Sequence, residues 1–316
     1  MSKSALRRTA GMLKYKALYC WPYKFKQAKA EKLREQLRPK AFELPPIEPA
    51  GKPEIELHML CGKAQLDMGI WASWSILRFL KNAVLYVHSD GTLTDEDAHL
   101  WRKIIPSMIL ISKEEADDRV MSIVAPIAPS LCRWRHSVKV SEQAIDMQLF
   151  GKTDRFLIAD SDVLCFADPT ELCEALSVRT PVFRWSRDIR SCYSDDIELL
   201  NKITGLHLPK ALNGGFCVSP RWNKEGFHFL ENAIKRLEAD GRVDVQHYWS
   251  PQTYLAICTT RYTDSRPFSD SYAVTLGPTS DKAVVRHYVG IPAVRPRYFT
   301  EGLPRLLTTI EKQLGD

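Results

Sequence analysis

The sequence predicts an α/β fold in which a mostly parallel sheet carries helices on both faces. From Glu54 onward, apolar strand-like segments alternate with amphipathic helical segments, and strands separated by helices pair in parallel through right-handed crossovers. The 316 residues suffice for one large domain or two small ones. Apolar residues make up 45% of the chain and charged residues 26%, as in ordinary globular proteins. No apolar run approaches the length of about 18 residues that a membrane-spanning helix needs.

The predicted elements follow one another regularly through the first half of the chain. Strands are predicted over residues 55–61, 83–91 and 107–112, with a fourth beginning at Arg155. Helices are predicted over residues 65–80, 95–105 and 139–150. After Asp162 the pattern loosens, and short strands are expected near residues 181–185, 215–219 and 284–289. The apolar spacing of the last residues predicts a C-terminal amphipathic helix whose role is packing.

Positive charge is concentrated at the N-terminus. Residues 1–40 hold twelve Lys or Arg and only two Glu, so within the total of +6 the other 276 residues sum to −4. Five prolines from Pro39 to Pro53 then indicate a linker. The sequence therefore divides into a basic helical tail with its linker (1–45), a main α/β domain (46–300) and a C-terminal helix (301–316).

The tail has two interpretations. Lysines alternate with five aromatic residues, Tyr15, Tyr19, Trp21, Tyr23 and Phe25. This composition suits an anionic membrane surface, but a helix packed against its own domain would also explain the apolar stripe. Nucleic acid would match the charge, yet no nucleic-acid-binding motif accompanies it, so no nucleic acid is expected as a partner.

The N-terminus lacks a signal-peptide pattern, and the eight cysteines are scattered without a Cys-x-x-Cys. Buried thiols in a reducing compartment explain such cysteines better than disulfides or zinc. We therefore expect a cytoplasmic protein, peripheral on the inner membrane face if the tail binds lipid.

The most informative segment is "RFLIADSDVLCF" (155–166), in which an apolar strand delivers Asp160 and Asp162. Burying an unpaired carboxylate is costly, so both need a positive partner. A divalent cation with oxygen ligands is the simplest one, and open α/β sheets bind ligands at the carboxyl ends of their strands. The other Asp-x-Asp, at 95–97, follows Thr94 and instead predicts a capped helix N-terminus.

Four motifs, in the same order, resemble those of GT-A nucleotide-sugar glycosyltransferases. "DRFLIADSDVLCFADPTEL" is similar to their metal-binding strand and "LNGGFCVSP" (212–220) to the Asn-x-Gly strand that follows it. "PQTYLAI" (251–257) resembles their acidic-Gln helix, and "RHYVG" (286–290) resembles their closing His-x-x-Gly. The resemblance spans about residues 55 to 300 and is nearest to the retaining galactosyltransferase and glycogenin-like family.

This resemblance implies a GT-A-like, Rossmann-type catalytic domain. It also implies transfer of a sugar from a nucleoside-diphosphate donor, with a UDP-sugar as the expected form, to a glycan or lipid-linked acceptor. The metal would be Mn²⁺ or Mg²⁺, bound by Asp162, by Asp160 unless that residue contacts the donor ribose, and by His287 as third ligand. An imidazole ligand favours Mn²⁺; considered alone, however, His287 would more simply be an ordinary strand histidine.

The remaining site residues are also implied by the matched motifs. Gln252, with the two aspartates, is a catalytic candidate. Donor contacts are expected from Lys139, Asn213, Gly214, Gly215 and Arg295. Adjacent glycines permit close approach of the backbone to a ligand, and an arginine binds phosphate with two donors. Two further basic residues, Arg133 and Arg135, precede Lys139.

The chain departs from the family pattern at two places. The closing motif His-x-x-Gly-x-x-Lys-Pro lacks its lysine, and Arg295 stands two positions later. Pro251 replaces the acid that normally precedes Gln252. Three acids in the loop "SRDIRSCYSDD", Asp188, Asp195 and Asp196, are candidates to replace it as a base. Alternatively, the leaving phosphate takes the acceptor proton, so both stereochemical outcomes stay open.

Two rival functions stay open at the level of sequence. A nucleotidyltransferase of related fold would also need metal-binding carboxylates, but it usually carries a Gly-rich segment after the first strand, which "CGKAQLD" matches poorly. A GT-A shell without turnover, acting as a binding or scaffold protein, would explain the missing acid at position 251.

Overall fold

The computed structural model describes residues 12–14, 16–17, 23–48, 51–138 and 140–315, with side chains up to residue 311. The strands within this part of the chain are β1 (Ile55–Cys61), β2 (Ala83–Ser89), β3 (Ile109–Ile111), β4 (Arg155–Ala159), β5 (Val163–Cys165), β6 (Arg184–Arg187), β7 (Leu212–Pro220), β8 (Arg266–Pro267) and β9 (Val285–His287). Seven of them form one sheet in the order β3-β2-β1-β4-β7-β6-β8, and β5 pairs with β9 in a second. The first four strands are parallel, whereas β7 runs antiparallel to its neighbours β4 and β6.

Helices cover both faces of the large sheet. In chain order they are α1 (Lys24–Ala41), α2 (Leu66–Leu77), α3 (Asp95–Ile104), α4 (Lys113–Ile123), α5 (Pro129–Ser137), α6 (Glu142–Leu149), α7 (Thr170–Ser177), α8 (Ile197–Thr204), α9 (Lys224–Asp240), α10 (Ser250–Thr259) and α11 (Leu303–Gly315). Alternate residues of β4 enter two separate cores: Leu157 and Ala159 belong to one apolar cluster, and Phe156 and Ile158 belong to the other. The predicted α/β class is confirmed.

Elements of the first half lie close to their predicted positions. β1 occupies residues 55–61 as predicted. β2 ends at Ser89, earlier than predicted, because Asp90 accepts the N–H of Thr92 at 3.0 Å and closes a turn. α3 begins after Thr94, whose hydroxyl accepts the N–H of Asp97 at 3.3 Å while the Asp97 carboxylate accepts the N–H of Thr94 at 2.9 Å. This second Asp-x-Asp is therefore a helix cap, as predicted.

Other boundaries differ from the predictions for identifiable reasons. α2 begins at Leu66 and ends at Leu77, three residues before the predicted end. α6 begins at Glu142 rather than at 139, since Val140 has a φ of +61°, which a right-handed helix excludes. β7 (Leu212–Pro220) is longer than predicted, because its first residues pair with β6 and its last residue pairs with Arg155 of β4. β6 lies at Arg184–Arg187 rather than at 181–185.

The N-terminal helix α1 packs against the domain. Pro39 was expected to break the helix, but it lies in the last turn of α1. The last turn of α1 stays helical because Ala41 is fully buried against the core. Ala30, near the middle of the helix, is buried in the same core. The tail upstream of Tyr23 lies mostly outside the described residues.

Ion pairing fixes the orientation of α1. The Arg34 guanidinium donates to Asp67 of α2, with Nη2 at 2.6 Å from Oδ1. It also lies 5.6 Å from the centre of the Phe299 ring. At the other end of the chain, α11 buries Leu303 and Leu306 in the same core, which is the packing role predicted for it. No helix among the described residues is long and apolar enough to cross a bilayer.

A buried charged network joins the first half of β1 to the end of β2. Arg221 donates to Glu56 with 2.5 Å between Nη2 and Oε2, and the N–H of Lys152 donates to the same carboxylate at 2.6 Å. His58 lies 3.4 Å from Glu56, and its Nδ1 lies 2.9 Å from Nε2 of His88. All the side chains of this network except that of Arg221 are almost fully buried.

Burial determines the ionisation of this network. It lowers the pKa of His58 to about 4 and that of His88 well below its ordinary value. Burial alone would raise the pKa of Glu56, but hydrogen bonds from His58 and Lys152 and the charge of Arg221 lower that pKa to about 2. The folded protein therefore holds neutral histidines beside an ionised glutamate.

Acid should destabilise the protein because of these shifts. The pKa of folded His58, about 4, lies below its ordinary 6.5, so the unfolded chain binds more protons between these values and the free energy of unfolding falls as pH drops through that range. Glu56, with a pKa of about 2 against an ordinary 4.5, loses its contribution between about pH 4.5 and pH 2.

The free energy of unfolding should fall between pH 7 and pH 5, and we expect His58→Gln to reduce this fall by about 2 kcal/mol. Glu56 contributes little in this pH range. Urea unfolding of both proteins at the two pH values measures this difference. His99→Gln, at an exposed position, is the matched control and should keep the wild-type slope. Parallel pH profiles for wild type and His58→Gln would contradict the assignment.

Candidate metal and donor site

The carboxyl end of β4 carries the two aspartates. The N–H of Asp160 donates to the carbonyl of Gly215 at 2.8 Å, which continues the pairing of β4 with β7 by one residue. The chain then turns, with the N–H of Val163 donating to the carbonyl of Asp160 at 3.2 Å. The Asp162 carbonyl accepts the N–H of Tyr288 at 2.8 Å, which docks the turn onto β9. Both aspartates are therefore held by backbone bonds on either side.

His287 reaches the aspartates through the small sheet. β5 and β9 are antiparallel, and Val163 is the partner of His287 in their register. His287 Nε2 consequently lies 2.9 Å from Oδ1 of Asp162 and 3.3 Å from Oδ2 of Asp160. One ligand atom from each of the three residues lies within 4.8 Å of the others. Two carboxylate oxygens and one imidazole nitrogen at this spacing fit a divalent cation such as Mn²⁺ or Mg²⁺.

The pKa values of Asp160 and Asp162 favour a bound cation at the cluster. Burial raises the pKa of Asp160; His287 opposes this, and the nearby Asp162 carboxylate adds to it. Burial would also raise the pKa of Asp162, but the charges of His287 and Arg295 lower it below its ordinary value. The pKa values of the two carboxylates therefore shift in opposite directions, and a divalent cation would stabilise the ionised form of both.

Gly215 makes room for the cluster. A Cβ atom at this position would lie 2.2 Å from Cε1 of His287 and 2.3 Å from Oδ2 of Asp160. No side chain fits at such distances, so the strand must be glycine at its closest approach to the carboxylate and imidazole. The close approach of a ligand to the glycine pair stays a prediction.

Arg295 joins the cluster despite its shifted position in the sequence. Its Nη2 donates to Oδ2 of Asp162 at 2.5 Å, and its Nε donates to the carbonyl of Tyr288 at 3.0 Å. About a third of its side chain, 36%, remains exposed. The guanidinium thus lies at the edge of the cluster with donors directed to both protein and solvent.

The other residues expected from the motifs lie beside the glycines. Asn213 is buried and accepts the N–H of Gly215 at 3.1 Å. Gln252 accepts the N–H of Gly214 at 3.4 Å and donates to the carbonyl of Cys192 at 3.3 Å. Asn213, Gly214, Gly215 and Gln252 therefore form one continuous wall next to the cluster.

The three loop acids differ in whether hydrogen bonds connect them to the cluster. Asp188 accepts the Asn213 amide at 2.9 Å and so connects to the cluster. Asp195 and Asp196 are exposed, and Asp196 caps α8 by accepting the N–H of Glu198 at 2.9 Å. Of these three acids, Asp188 is the one joined by hydrogen bonds to the candidate site.

The basic residues before α6 have other partners. Arg135 is buried and donates to Asp146 at 2.6 Å and to Asp117. Arg133 donates to the Ser130 hydroxyl at 2.8 Å. Arg135 is therefore a structural residue, whereas Arg133 lies at the surface with 64% of its side chain exposed. Lys139 lies outside the described residues, and its donor contact stays a prediction.

Sequence reasoning missed one residue of the cluster. Gln143, in the first turn of α6, donates from Nε2 to Oδ1 of Asp160 at 2.6 Å. Nothing in the motifs marks this glutamine, since it lies 17 residues before its partner on another element. The one indication in the sequence that Gln143 could reach the site is that it lies in the helix predicted just before the metal strand.

Comparisons with known proteins relate the fold to glycosyltransferases. No protein-family model matches the chain, and no curated protein matches it. Among solved structures, the apo form of the bifunctional glycosyltransferase WbbM aligns at 16% identity over 85% of this chain and 53% of its own, with a TM-score of 0.51. This chain therefore spans about half the length of WbbM.

Two further structures align over most of their own length. Apo mouse xyloside xylosyltransferase 1 aligns at 13% identity over 74% of this chain and 96% of its own, with a TM-score of 0.50. The galactosyltransferase LgtC, solved with donor and acceptor sugar analogues, aligns at 10% identity over 78% and 94%, with a TM-score of 0.48. At such identities the likeness concerns the fold, and the chain has the GT-A fold that its motifs predicted.

Proposed function

We propose that this chain is a metal-dependent glycosyltransferase that moves a sugar from a nucleoside-diphosphate donor, a UDP-sugar, to a glycan or lipid-linked acceptor. The observation that carries the proposal is the convergence of Asp160, Asp162 and His287 at the carboxyl end of a central strand, where open α/β sheets bind ligands. The GT-A fold supports the reaction class. Mn²⁺ is the proposed metal because an imidazole completes the set, with Mg²⁺ as the alternative.

Each residue of the site has a part in this chemistry. The cation, when bound, supplies Lewis-acid compensation for the negative charge that develops on the leaving diphosphate. Asp160, Asp162 and His287 hold it, while Gln143 orients Asp160 through its amide. Arg295 has donors left for phosphate oxygens because part of its side chain is exposed.

The acceptor and donor sugar would lie along the wall formed by Asn213, Gly214, Gly215 and Gln252. The backbone at the glycines allows a sugar to approach closely, and the amide of Gln252 lies at the same surface. Asp188 is the acid nearest this wall in the hydrogen-bond network. Because it lies beside Asn213, it is also the proposed substitute for the acid missing at position 251.

Substituting Asp162 tests the proposal most directly. Asp162→Asn should weaken Mn²⁺-dependent binding of UDP by more than the roughly 10–100-fold typical of residues that only support a ligand, since it removes a ligand charge. Calorimetry with Mn²⁺, and again with chelator, measures this. Asp95→Asn is the matched control, because Asp95 is an exposed residue of the other Asp-x-Asp. Wild-type binding of UDP by Asp162→Asn would refute the site.

Turnover distinguishes the rival functions. A glycosyltransferase releases UDP from a UDP-sugar, slowly to water when no acceptor is present, whereas a nucleotidyltransferase exchanges pyrophosphate with a nucleoside triphosphate. A shell that binds without reacting does neither. Metal-dependent UDP release by the wild-type protein is the expected result, and its absence with every UDP-sugar would favour the shell.

Substituting Gly215 tests the geometry of the site. Gly215→Ala should reduce UDP-sugar turnover about a hundredfold, because displacing reacting groups by about 1 Å is enough for such a loss. Mn²⁺ affinity should fall as well, since the added methyl displaces His287 and Asp160. Gly277→Ala, where a Cβ meets nothing within 4 Å, is the control. Wild-type Mn²⁺ affinity in Gly215→Ala would contradict the arrangement.

We further propose that the basic N-terminal segment holds the enzyme at the cytoplasmic face of an anionic membrane. Phe25, Lys29 and Lys32 follow the i, i+4, i+7 spacing of one helical face, and Phe25 is 86% exposed. On the far side of the helix, Ala30 and Ala41 are buried in the core. A lipid-facing stripe on a helix fixed to the domain suits a lipid-linked acceptor.

Reversing two charges on this stripe tests the attachment. Lys29→Glu/Lys32→Glu should weaken sedimentation with phosphatidylglycerol vesicles about thirtyfold, at roughly 1 kcal/mol for each basic residue. Lys210→Glu/Lys282→Glu changes the net charge equally at two exposed positions elsewhere and should bind more nearly as wild type does. Equal weakening of both double variants would mean that net charge, rather than the stripe, governs binding.

A further inference from the structure

Asp188 lies outside the metal cluster but is joined to it through two side chains. Its Oδ2 accepts the amide of Asn213 at 2.9 Å. The Asn213 Oδ1 in turn lies 2.7 Å from Nδ1 of His287. The other nitrogen of His287, Nε2, faces Asp162 and Asp160. A continuous chain of hydrogen bonds therefore runs from Asp188 into the cluster.

The orientation of the Asn213 amide is determined by its neighbours. A carboxylate only accepts hydrogen bonds, so the NH₂ group must face Asp188. On the other side, the backbone N–H of Gly215 donates to Oδ1 at 3.1 Å. A flipped amide would set oxygen against carboxylate and NH₂ against N–H, and both contacts would be repulsive.

This orientation fixes the protonation of His287. Because Oδ1 of Asn213 can only accept, Nδ1 of His287 must carry a hydrogen and donate it. Without a metal, Nε2 also carries a hydrogen, which it directs to Oδ1 of Asp162 at 2.9 Å. A cation that displaces this proton binds the lone pair of Nε2 while Nδ1 keeps its hydrogen, so the cluster directs Nε2 rather than Nδ1 at the metal position.

Asp188 itself is held in place. Its N–H donates to the carbonyl of Ala211 at 2.7 Å, and its Oδ1 accepts the N–H of Ile189 at 2.7 Å. Only Oδ2 is engaged by Asn213. The Asp188 carboxylate is therefore held with Oδ2 facing the Asn213 amide.

We infer that Asp188 is a positioning residue that, through Asn213, fixes His287 in the Nδ1–H tautomer required for metal binding. The inference rests on the proposed metal site and adds the two residues, Asp188 and Asn213, that prepare His287 to bind the metal. The negative charge polarises the Asn213 amide, makes Oδ1 a better acceptor and raises the basicity of Nε2. Partners of this kind behind a metal-binding histidine typically change metal affinity 10–100-fold.

The test measures Mn²⁺ binding by electron paramagnetic resonance, without any turnover. Asp188→Asn should weaken Mn²⁺ about tenfold, at the lower end of that range because it acts through a second residue. Asn213→Ala should weaken it by at least as much. The double variant should be no weaker than Asn213→Ala alone, since Asp188 has no route to His287 without the amide.

Asp270→Asn is the matched control. Asp270 pairs with Arg187, the residue before Asp188, and its side chain is 83% exposed. The Asp270→Asn substitution removes one negative charge close to Asp188 but leaves the chain of hydrogen bonds intact. This variant should therefore keep wild-type Mn²⁺ affinity. A tenfold loss in this variant too would attribute the effect to general electrostatics and overturn the inference.

The wild-type protein offers a test that requires no variant to fold. With ¹⁵N-labelled histidine and saturating Mg²⁺, His287, assigned by comparison with His287→Gln, should carry its proton on Nδ1. A proton on Nε2 would overturn the inference, as would wild-type Mn²⁺ affinity in Asp188→Asn or additive losses in the double variant. Absence of metal binding by the wild-type protein would refute the proposed function as well, whereas the other outcomes leave that function intact.

Discussion

The arrangement of the site depends on two carboxylates that lie close together at the end of one buried strand. Asp160 and Asp162 follow β4 immediately, and the intervening turn directs both side chains to the same point, where Nε2 of His287 lies 3.3 Å and 2.9 Å from them. Like charges at this spacing repel, and burial increases the cost of leaving them uncompensated. The strands around β4 are arranged so that positive or donating groups reach this point from several directions.

The antiparallel strands provide most of this compensation. β7 interrupts the parallel order beside β4 and brings Asn213 and Gly215 to the cluster. β9 pairs with the short β5 and delivers His287, while the chain beyond it returns Arg295 to Asp162. A purely parallel sheet would place helices at these positions. The departure from parallel order is therefore what allows side chains as far downstream as Arg295, 133 residues after Asp162, to meet the two aspartates.

Sequence reasoning located strands in both halves of the chain, but it could not predict how the antiparallel strands pair. β1 is apolar except for Glu56 and His58 and is followed by a helical pattern, so 55–61 could be located from the sequence alone. The short strands β5 and β9 have three residues each and carry no periodic pattern. His287 was found through its motif, whereas Gln143 and the bond from Asp188 to Asn213 depend on tertiary contacts that leave no local mark. The same applies to Arg135, whose buried partners were not visible from its neighbours.

The two ends of the central strands show how one fold treats carboxylates differently. At the start of β1, Glu56 accepts two backbone N–H groups and pairs with Arg221, so its pKa falls to about 2. At the end of β4, burial and Asp162 raise the pKa of Asp160 against the opposing charge of His287. The first carboxylate is satisfied by the protein itself. The second also has partners, Gln143 and His287, but its pKa stays raised, and perturbed carboxylates of this kind mark candidate sites for a charged ligand. Chemistry is therefore expected at the carboxyl end of β4, and the network around Glu56 serves stability.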